Sequence, residues 1–578
     1  MSQPSRREFL GCVAAAAVAG AAAQLASAAP LAAARKRLSQ FPYGDVKLTG
    51  GPLKAQFDHT LNYYMALDED RVLKVYRQRT GLPAPGADMG GWYDPTGFAP
   101  GHCFGQWVSA FSRFFAATGD EKMREKVAKL VDGFDRTLAG SPSFYDDHPF
   151  RGYCYDKHVL GLVEAYRLAG IDRAKSVLAR ATDQAVRFLP PKAETRQEQA
   201  AHPHKDPRYT WDECYTLPEN LFLAHAAMQD DRYLELAKKY LHDKPYFDPL
   251  ARGENVLPGL HAYSHVNALS SAARAYEVLS DEKYLQTITN AWDMLESTQW
   301  FATSGWGPNE EFVPPGKGLL GKSLFTTRNH FETPCGSYAQ FKLARYLMRF
   351  TTEARYGDGL ELILYNGILA ARPMGPDGHT FYYSDYGPLA RKGYRAEPWP
   401  CCAGTYPQVV VDYLISAYLH DDDGVYVNLY VPSEVRWKSI RLVQETTYPD
   451  EGTSRLTVFG GGEFAIRLRQ PRWARSMSVR VNGHEQPAQA DARGFVQIRR
   501  IWKDQDLLEI NLPLDRREEP IDHQHTDLVA VMRGPVVMVA AMDPEVGISG
   551  SSQLTHKASL MPFYKVRDEV YTTYLTRS

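Results

Sequence analysis

The chain carries no surplus of positive charge. Its 578 residues hold 66 Lys and Arg against 68 Asp and Glu, a formal net charge of −2 at pH 7. No Lys/Arg-rich run exists to neutralise a phosphate backbone, which argues against nucleic acid as a partner. Long apolar runs are missing too: beyond the N-terminal segment, no stretch reaches the ~20 residues that a membrane-spanning helix needs. Cysteine is scarce, with seven in all, and no Cys-x-x-Cys occurs. What is present fits a folded chain. Hydrophobic residues reach 44% and charged residues 23%, enough to bury a large core and too apolar for disorder. At about 100–200 residues per domain, the length implies three or four domains, or one large toroid with attachments. Aromatics reach 12%, with 34 Tyr and 10 Trp; flat amphipathic rings suit sugar faces, and equally the interiors of large helices.

Residues 1–28 read as a targeting segment. Ser5-Arg6-Arg7-Glu8-Phe9-Leu10 is a twin-arginine run, followed by an Ala-rich stretch from Val13 to Leu25 and the small-residue pattern Ala26-Ser27-Ala28. The stretch is too short and Ala-rich for an anchor. Cys12 precedes the apolar region instead of ending it, so lipidation is not expected. The mature protein is expected to be soluble and periplasmic or secreted. In an oxidising compartment, Cys103, Cys154, Cys214, Cys335, Cys401 and Cys402 would ordinarily form three disulfides. Adjacent Cys401 and Cys402 speak against this, because consecutive Cα atoms lie about 3.8 Å apart, closer than a relaxed bridge allows. Neighbouring thiols are better read as metal ligands.

After an N-terminal segment at 29–51, residues 52–420 read as helices: 54–78, 103–117, 121–138, 156–168, 173–188, 216–228, 231–242, 261–278, 282–297, 336–350, 355–370 and 406–418. Polar turns recur at Thr118-Gly119-Asp120, Gly170-Ile171-Asp172, Gln229-Asp230-Asp231, Ser280-Asp281-Glu282 and Thr351-Thr352-Glu353. The residues just beyond them (Met123, Ala174, Tyr233, Tyr284, Tyr356) repeat at roughly fifty residues, the length of one helical hairpin. Six hairpins close into an (α/α)6 toroid; an open α-solenoid is the alternative. From 421 to 578 the period becomes two, as in Val425–Val431 and Ser478–Val481. The latter run ends at the hairpin signal Asn482-Gly483, and the pattern predicts β-sandwich modules. The fold class is thus multidomain α + β, with Pro400–Thr405 near the seam.

Glu332-Thr333-Pro334-Cys335 opens one predicted helix and Cys401-Cys402 precedes another. Three thiolates and one carboxylate supply the four ligands zinc prefers; three buried free thiols would account for the same residues. The loop Thr303–Phe312 carries Glu310-Glu311, which could set a carboxylic acid against a leaving oxygen or form a solvated turn.

Together, this loop, Phe331-Glu332-Thr333-Pro334-Cys335-Gly336, Tyr365-Asn366, Phe381-Tyr382-Tyr383 and Trp399-Pro400-Cys401-Cys402 resemble the β-L-arabinofuranosidase family, glycoside hydrolase family 127. The likeness extends into the β region through Arg467–Trp473 and Val481-Asn482-Gly483. It implies an (α/α)6 catalytic domain and a zinc ion held by Glu332, Cys335, Cys401 and Cys402. It further implies Cys401 as nucleophile, Glu310 as acid/base, and Glu361 and Tyr383 as substrate-binding residues. The implied reaction is retaining hydrolysis of a terminal β-L-arabinofuranoside or related sugar in plant or microbial glycans. The chain departs from the family pattern in three places. Thr333-Pro334 makes the usual Glu-x-Cys one residue longer, Ala403-Gly404-Thr405 replaces a Pro/Asn continuation, and Trp399 stands where a His is expected. His265 is the candidate sugar-contacting histidine, with His158 behind it; a satisfied helix histidine is the other reading of His265. Two rivals stay open. One is a sugar isomerase or epimerase on the same toroid, which needs paired histidines and no cysteine cluster. The other is a non-catalytic glycan-binding protein, whose structural zinc site would be closed, with no solvent-facing thiolate. A carbohydrate is the partner under every reading, and nothing in the sequence specifies an oligomer.

Overall fold

A computed structural model describes residues 38–202, 206–542 and 559–577. The twin-arginine segment 1–28, Cys12 and His204 lie outside the described residues.

The helical body is built from hairpins whose turns follow a chemical rule. Five of the six inner helices run into a turn that holds a residue with left-handed backbone: Gly119 (φ 71°), Gly170 (64°), Gln229 (55°), Ser280 (68°) and Thr352 (65°). In three of these turns the next residue, Asp120, Asp230 or Asp281, caps the outer helix by accepting a hydrogen bond from the backbone N–H two residues on. Glu121–Thr137 shows why the outer helices form. Met123, Val127, Leu130, Val131 and Phe134 line one buried face, and most of the charged residues turn outward. Met123, Ala174, Tyr233, Tyr284 and Tyr356, the repeat positions, are all buried.

The inner helices are Phe104–Thr118, Arg151–Arg167, Leu217–Met228, Ala262–Leu279, Thr333–Thr351 and Cys402–Val411. Each packs on the next, and the last packs back on the first, which closes the ring. The body is therefore an (α/α)6 toroid and not an open solenoid. Glycine permits the closest crossing: a Cβ on Gly105 would lie 1.9 Å from the Lys157 carbonyl oxygen, and one on Gly161 2.5 Å from that of Gly105. The span 54–78 is two helices, Gly51–Met65 and Glu69–Arg79, because Asp68 caps the second by accepting from the Arg71 N–H.

The β region begins with a sandwich. A five-stranded sheet orders Ser39–Gln40, Tyr418–His420, Gly424–Val427, Gly462–Arg469 and Phe495–Trp502. A seven-stranded sheet orders His484–Gln486, Ser478–Val481, Leu507–Asn511, Thr453–Phe459, Ile440–Thr446, Ser433–Trp437 and Val46–Leu48. Asn482 (φ 51°) and Gly483 (φ 80°) form the predicted two-residue turn. The segment before the helices thus supplies an edge strand to each sheet. A third sheet, of six strands from Arg516–Asp522 to Tyr574–Thr576, packs back onto the toroid. There the Asn366 side chain donates to the Pro535 carbonyl and accepts from the Val537 N–H, both at 2.8 Å. Lys392 Nζ donates to the carbonyls of Phe563 (2.8 Å) and Val566 (3.2 Å). Among the described residues, no helix is long and apolar enough to cross a membrane.

Candidate active site

A cavity of about 290 Å³ opens at one end of the toroid. Every inner helix contributes to its wall from its N-terminal end: His102, Tyr153, Glu213, His261, Glu332 and Cys401 each lie in, or a few residues before, the first turn of successive inner helices. Helix N-termini carry partial positive charge, so the toroid turns a ring of such ends toward the place where thiols and carboxyls cluster.

Glu332 is positioned by a short antiparallel pair in which Phe331–Glu332 faces Tyr383–Ser384, with Glu332 opposite Tyr383. The inner helix starts at the next residue, with Pro334 in its first turn, where the missing N–H costs nothing, and Cys335 directly after. Trp399 precedes the cysteine pair in left-handed backbone (φ 52°), a conformation that costs energy for a bulky residue. Its indole donates to the Met89 carbonyl at 2.9 Å and packs over Gly378, where a Cβ would meet the ring at 2.1 Å. Trp399 thus turns the chain into the site and lines none of the cavity.

The ligand atoms of Glu332, Cys335, Cys401 and Cys402 all lie within 4.8 Å of one another. Cys401 Sγ is 3.0 Å and Cys402 Sγ 3.6 Å from Glu332 Oε1, while Cys335 Sγ meets Thr405 Oγ1 at 3.1 Å. The additional residue in Glu332-Thr333-Pro334-Cys335 is absorbed by the strand-to-helix turn without separating the two ligands. The six cysteines among the described residues are all free. Cys335 and Cys402 are fully buried; Cys401 alone of the three reaches the cavity. Burial pushes Glu332, Cys335 and Cys402 well above their ordinary pKa values. Burial opposes ionisation of Cys401 as well, yet hydrogen bonds from its neighbours, Tyr382 at 3.3 Å among them, hold it well below. A buried set of three sulfurs and one carboxylate fits a soft dication.

Glu310 and Glu311 separate cleanly. Gly307, Asn309 and Glu310 have left-handed backbone (φ 81°, 55° and 65°), and this tight turn is clipped to the segment before Ala262–Leu279. The Phe312 N–H donates to the Leu260 carbonyl at 3.1 Å, and Glu311 pairs with His261. Glu310 therefore points into the cavity while Glu311 is exposed. Tyr383 donates to Glu310 Oε1. His261 Nε2 lies 3.5 Å from Glu310 Oε2 and 3.9 Å from Glu332 Oε2, and its Nδ1 is 2.8 Å from Glu213 Oε1. Burial would lower the His261 pKa, but Glu213 and Glu310 raise it to about 9. Burial likewise opposes ionisation of Glu310, and the hydrogen bonds from His261 and Tyr383 outweigh it, holding its carboxyl below the ordinary value.

Cys401, Glu310, Glu332 and Tyr383 therefore share one cavity. Two expected substrate contacts do not. Glu361 is fully buried at the seam with the sandwich: Arg469 Nη2 is 2.9 Å away, Tyr448 donates at 2.8 Å and Trp473 at 3.2 Å. It ties domains together. His265 sits one turn too far into its helix, its Nδ1 2.8 Å from the His261 carbonyl and its ring packed among Tyr215 and Tyr246. His158 is core, held between Tyr76 and Tyr145 hydroxyls at 2.7 Å each. His202 lies at a surface turn, 3.1 Å from Glu194. The histidines on the cavity wall are His102 and His261, and Glu213 was not singled out at all. Their signal in the sequence was only a position just ahead of an inner helix, which takes on meaning once the ring is known to close.

Comparisons with known proteins agree with this geometry. The family model for the β-L-arabinofuranosidase GH127 catalytic domain matches residues 45–413, and that for the GH127 middle domain matches residues 424–514. A non-reducing end β-L-arabinofuranosidase of Bifidobacterium longum subsp. longum is 22% identical over 478 residues, covering 76% of this chain. This chain spans 64% of that relative's length. A solved GH127 β-arabinofuranosidase superposes with a TM-score of 0.70 at 20% identity, covering 94% of this chain and 98% of its own. The GH127 β-L-arabinofuranosidase of Geobacillus stearothermophilus T6 gives 0.68 at 18% identity, covering 92% and 100%. Since the catalytic-domain model alone takes in more than half of the sequence, the chain belongs to the GH127 β-L-arabinofuranosidase family.

Proposed function

We propose that the protein is an exported, zinc-dependent, retaining glycoside hydrolase with Cys401 as nucleophile. Its substrates are terminal β-L-arabinofuranosides, or a closely related sugar, in plant or microbial glycans. The observation that carries this reading is that Cys401 opens onto the same cavity as Glu310, while Cys335 and Cys402 are sealed behind it. A purely structural site would have no such exposed sulfur, which weighs against the glycan-binding alternative. Export rests on residues 1–28 and forms part of the proposal.

Glu332, Cys335, Cys401 and Cys402 would hold the zinc, which when bound keeps thiols ionised at neutral pH. Cys401 Sγ attacks the anomeric carbon; a carbon–sulfur bond forms as the bond to the leaving oxygen breaks. Glu310 delivers the proton that oxygen needs. His261, 3.5 Å from Glu310 and paired with Glu213, is the neighbouring group that can exchange a proton with it. Glu310 then takes a proton from water, whose oxygen displaces sulfur, and two inversions give retention. Tyr383 keeps the Glu310 carboxylate aimed through its hydrogen bond.

The test is to give purified protein, analysed for about one zinc per chain, methyl β-L-arabinofuranoside and to follow the product by NMR. Release of the β-anomer first is expected. Release of the α-anomer first, or no release from this or any related pentofuranoside, would contradict the reading.

A further inference from the structure

We propose that Trp211 is the platform for the leaving group, and that the group it receives is a second sugar ring; this rests on the hydrolase reading above. Trp211 is among the few large apolar side chains left exposed, at 36%, and it stands on the cavity wall. Its position is fixed. It ends the short turn Pro207–Trp211, which Arg208 ties down through Nη1 to the carbonyls of Gly97 (2.6 Å) and Phe98 (2.9 Å). The next residue, Asp212, accepts from the backbone N–H groups of Gly152 and Tyr153 at 3.0 and 2.8 Å. The Arg196 guanidinium stacks on the indole at 3.5 Å, which supports the ring from one side.

The side of the cavity follows from the chemistry. A leaving oxygen must come within hydrogen-bond reach of Glu310. His261, 3.5 Å from Glu310, neighbours Trp211, with ring centroids 5.6 Å apart and ring planes at 78°. Cys401 stands beside Tyr382, which is backed by Trp92 and Arg395. In a displacement the attacking and leaving groups occupy opposite faces of the reacting carbon, so the group that leaves past Glu310 passes Trp211. A rigid indole face offers its negative π-cloud to the polarised C–H face of a sugar ring, which a methyl aglycone lacks.

The experiment uses the Glu310→Gln enzyme, which binds with little turnover. Calorimetry compares a β-L-arabinofuranosyl disaccharide with methyl β-L-arabinofuranoside. Adding Trp211→Ala should weaken the disaccharide about tenfold, ~1.4 kcal/mol, and the methyl glycoside less than about twofold. Trp211→Phe should restore most of the loss, and thermal midpoints should be unchanged because the side chain is exposed. Equal weakening of both ligands, an unweakened disaccharide, or no binding of either would overturn the proposal. Failure of the hydrolase reading shows separately, as an unmutated enzyme that releases no arabinose while the calorimetric difference persists.

Discussion

Glu310 and Glu311 are adjacent in the chain and have opposite surroundings, so a paired substitution isolates the proton donor. Glu310→Gln should keep the fold and lower turnover of a methyl glycoside about 10²–10⁴-fold, the range for losing general acid–base catalysis. A nitrophenyl glycoside, whose leaving group needs little protonation, should suffer less in the first step. Glu311→Gln should leave both rates unchanged. Steady-state kinetics on the two substrates check this, and the reverse pattern would mean that the wrong carboxylate has been named. Glu310 could be singled out through the family resemblance, and the structure puts it on the cavity wall; His265, the candidate histidine, lies off that wall, where His261 stands instead. Both histidines sit at the start of one helix, four residues apart. Which one faces the cavity is decided by the pairing of Glu311 with His261, a contact between segments some fifty residues apart in the chain.

At the scale of elements, the toroid was legible because its hairpins share one turn chemistry: a left-handed residue followed in most cases by an acidic cap. The break in 54–78 depends on the Asp68 cap inside an otherwise continuous apolar pattern, and was hidden for that reason. The role of Glu361 was also hidden, since its partner Arg469 comes from a sandwich strand. Arg469 bridges Glu361 and Asp358, with Nη1 2.6 Å from the latter, and neither carboxylate reaches the cavity. Removing one member of a buried ion pair costs about 3–5 kcal/mol. Glu361→Ala should therefore lower the thermal midpoint sharply while the KM of the folded enzyme stays at the wild-type value. A selective rise in KM at unchanged stability would return Glu361 to the substrate site.

Across the whole molecule, ring closure assembles the site. Glu332 and Cys335 start one inner helix and Cys401 and Cys402 start the next, so the cluster exists only because neighbouring inner helices bring their N-terminal ends together. The sequence held both halves just ahead of predicted helices, and that made the cluster readable. The third sheet was not distinguished from the sandwich, because its strands give the same period-two signal. The central claim is that Cys401, and not Cys402, is the nucleophile of this site. Its most direct test is peptide mass spectrometry after treatment with an arabinofuranose-configured haloacetamide or cyclophellitol-type reagent. The account predicts one adduct on Cys401 that disappears, together with turnover, in Cys401→Ser. An adduct on Cys402, or full turnover in Cys401→Ser, would contradict it.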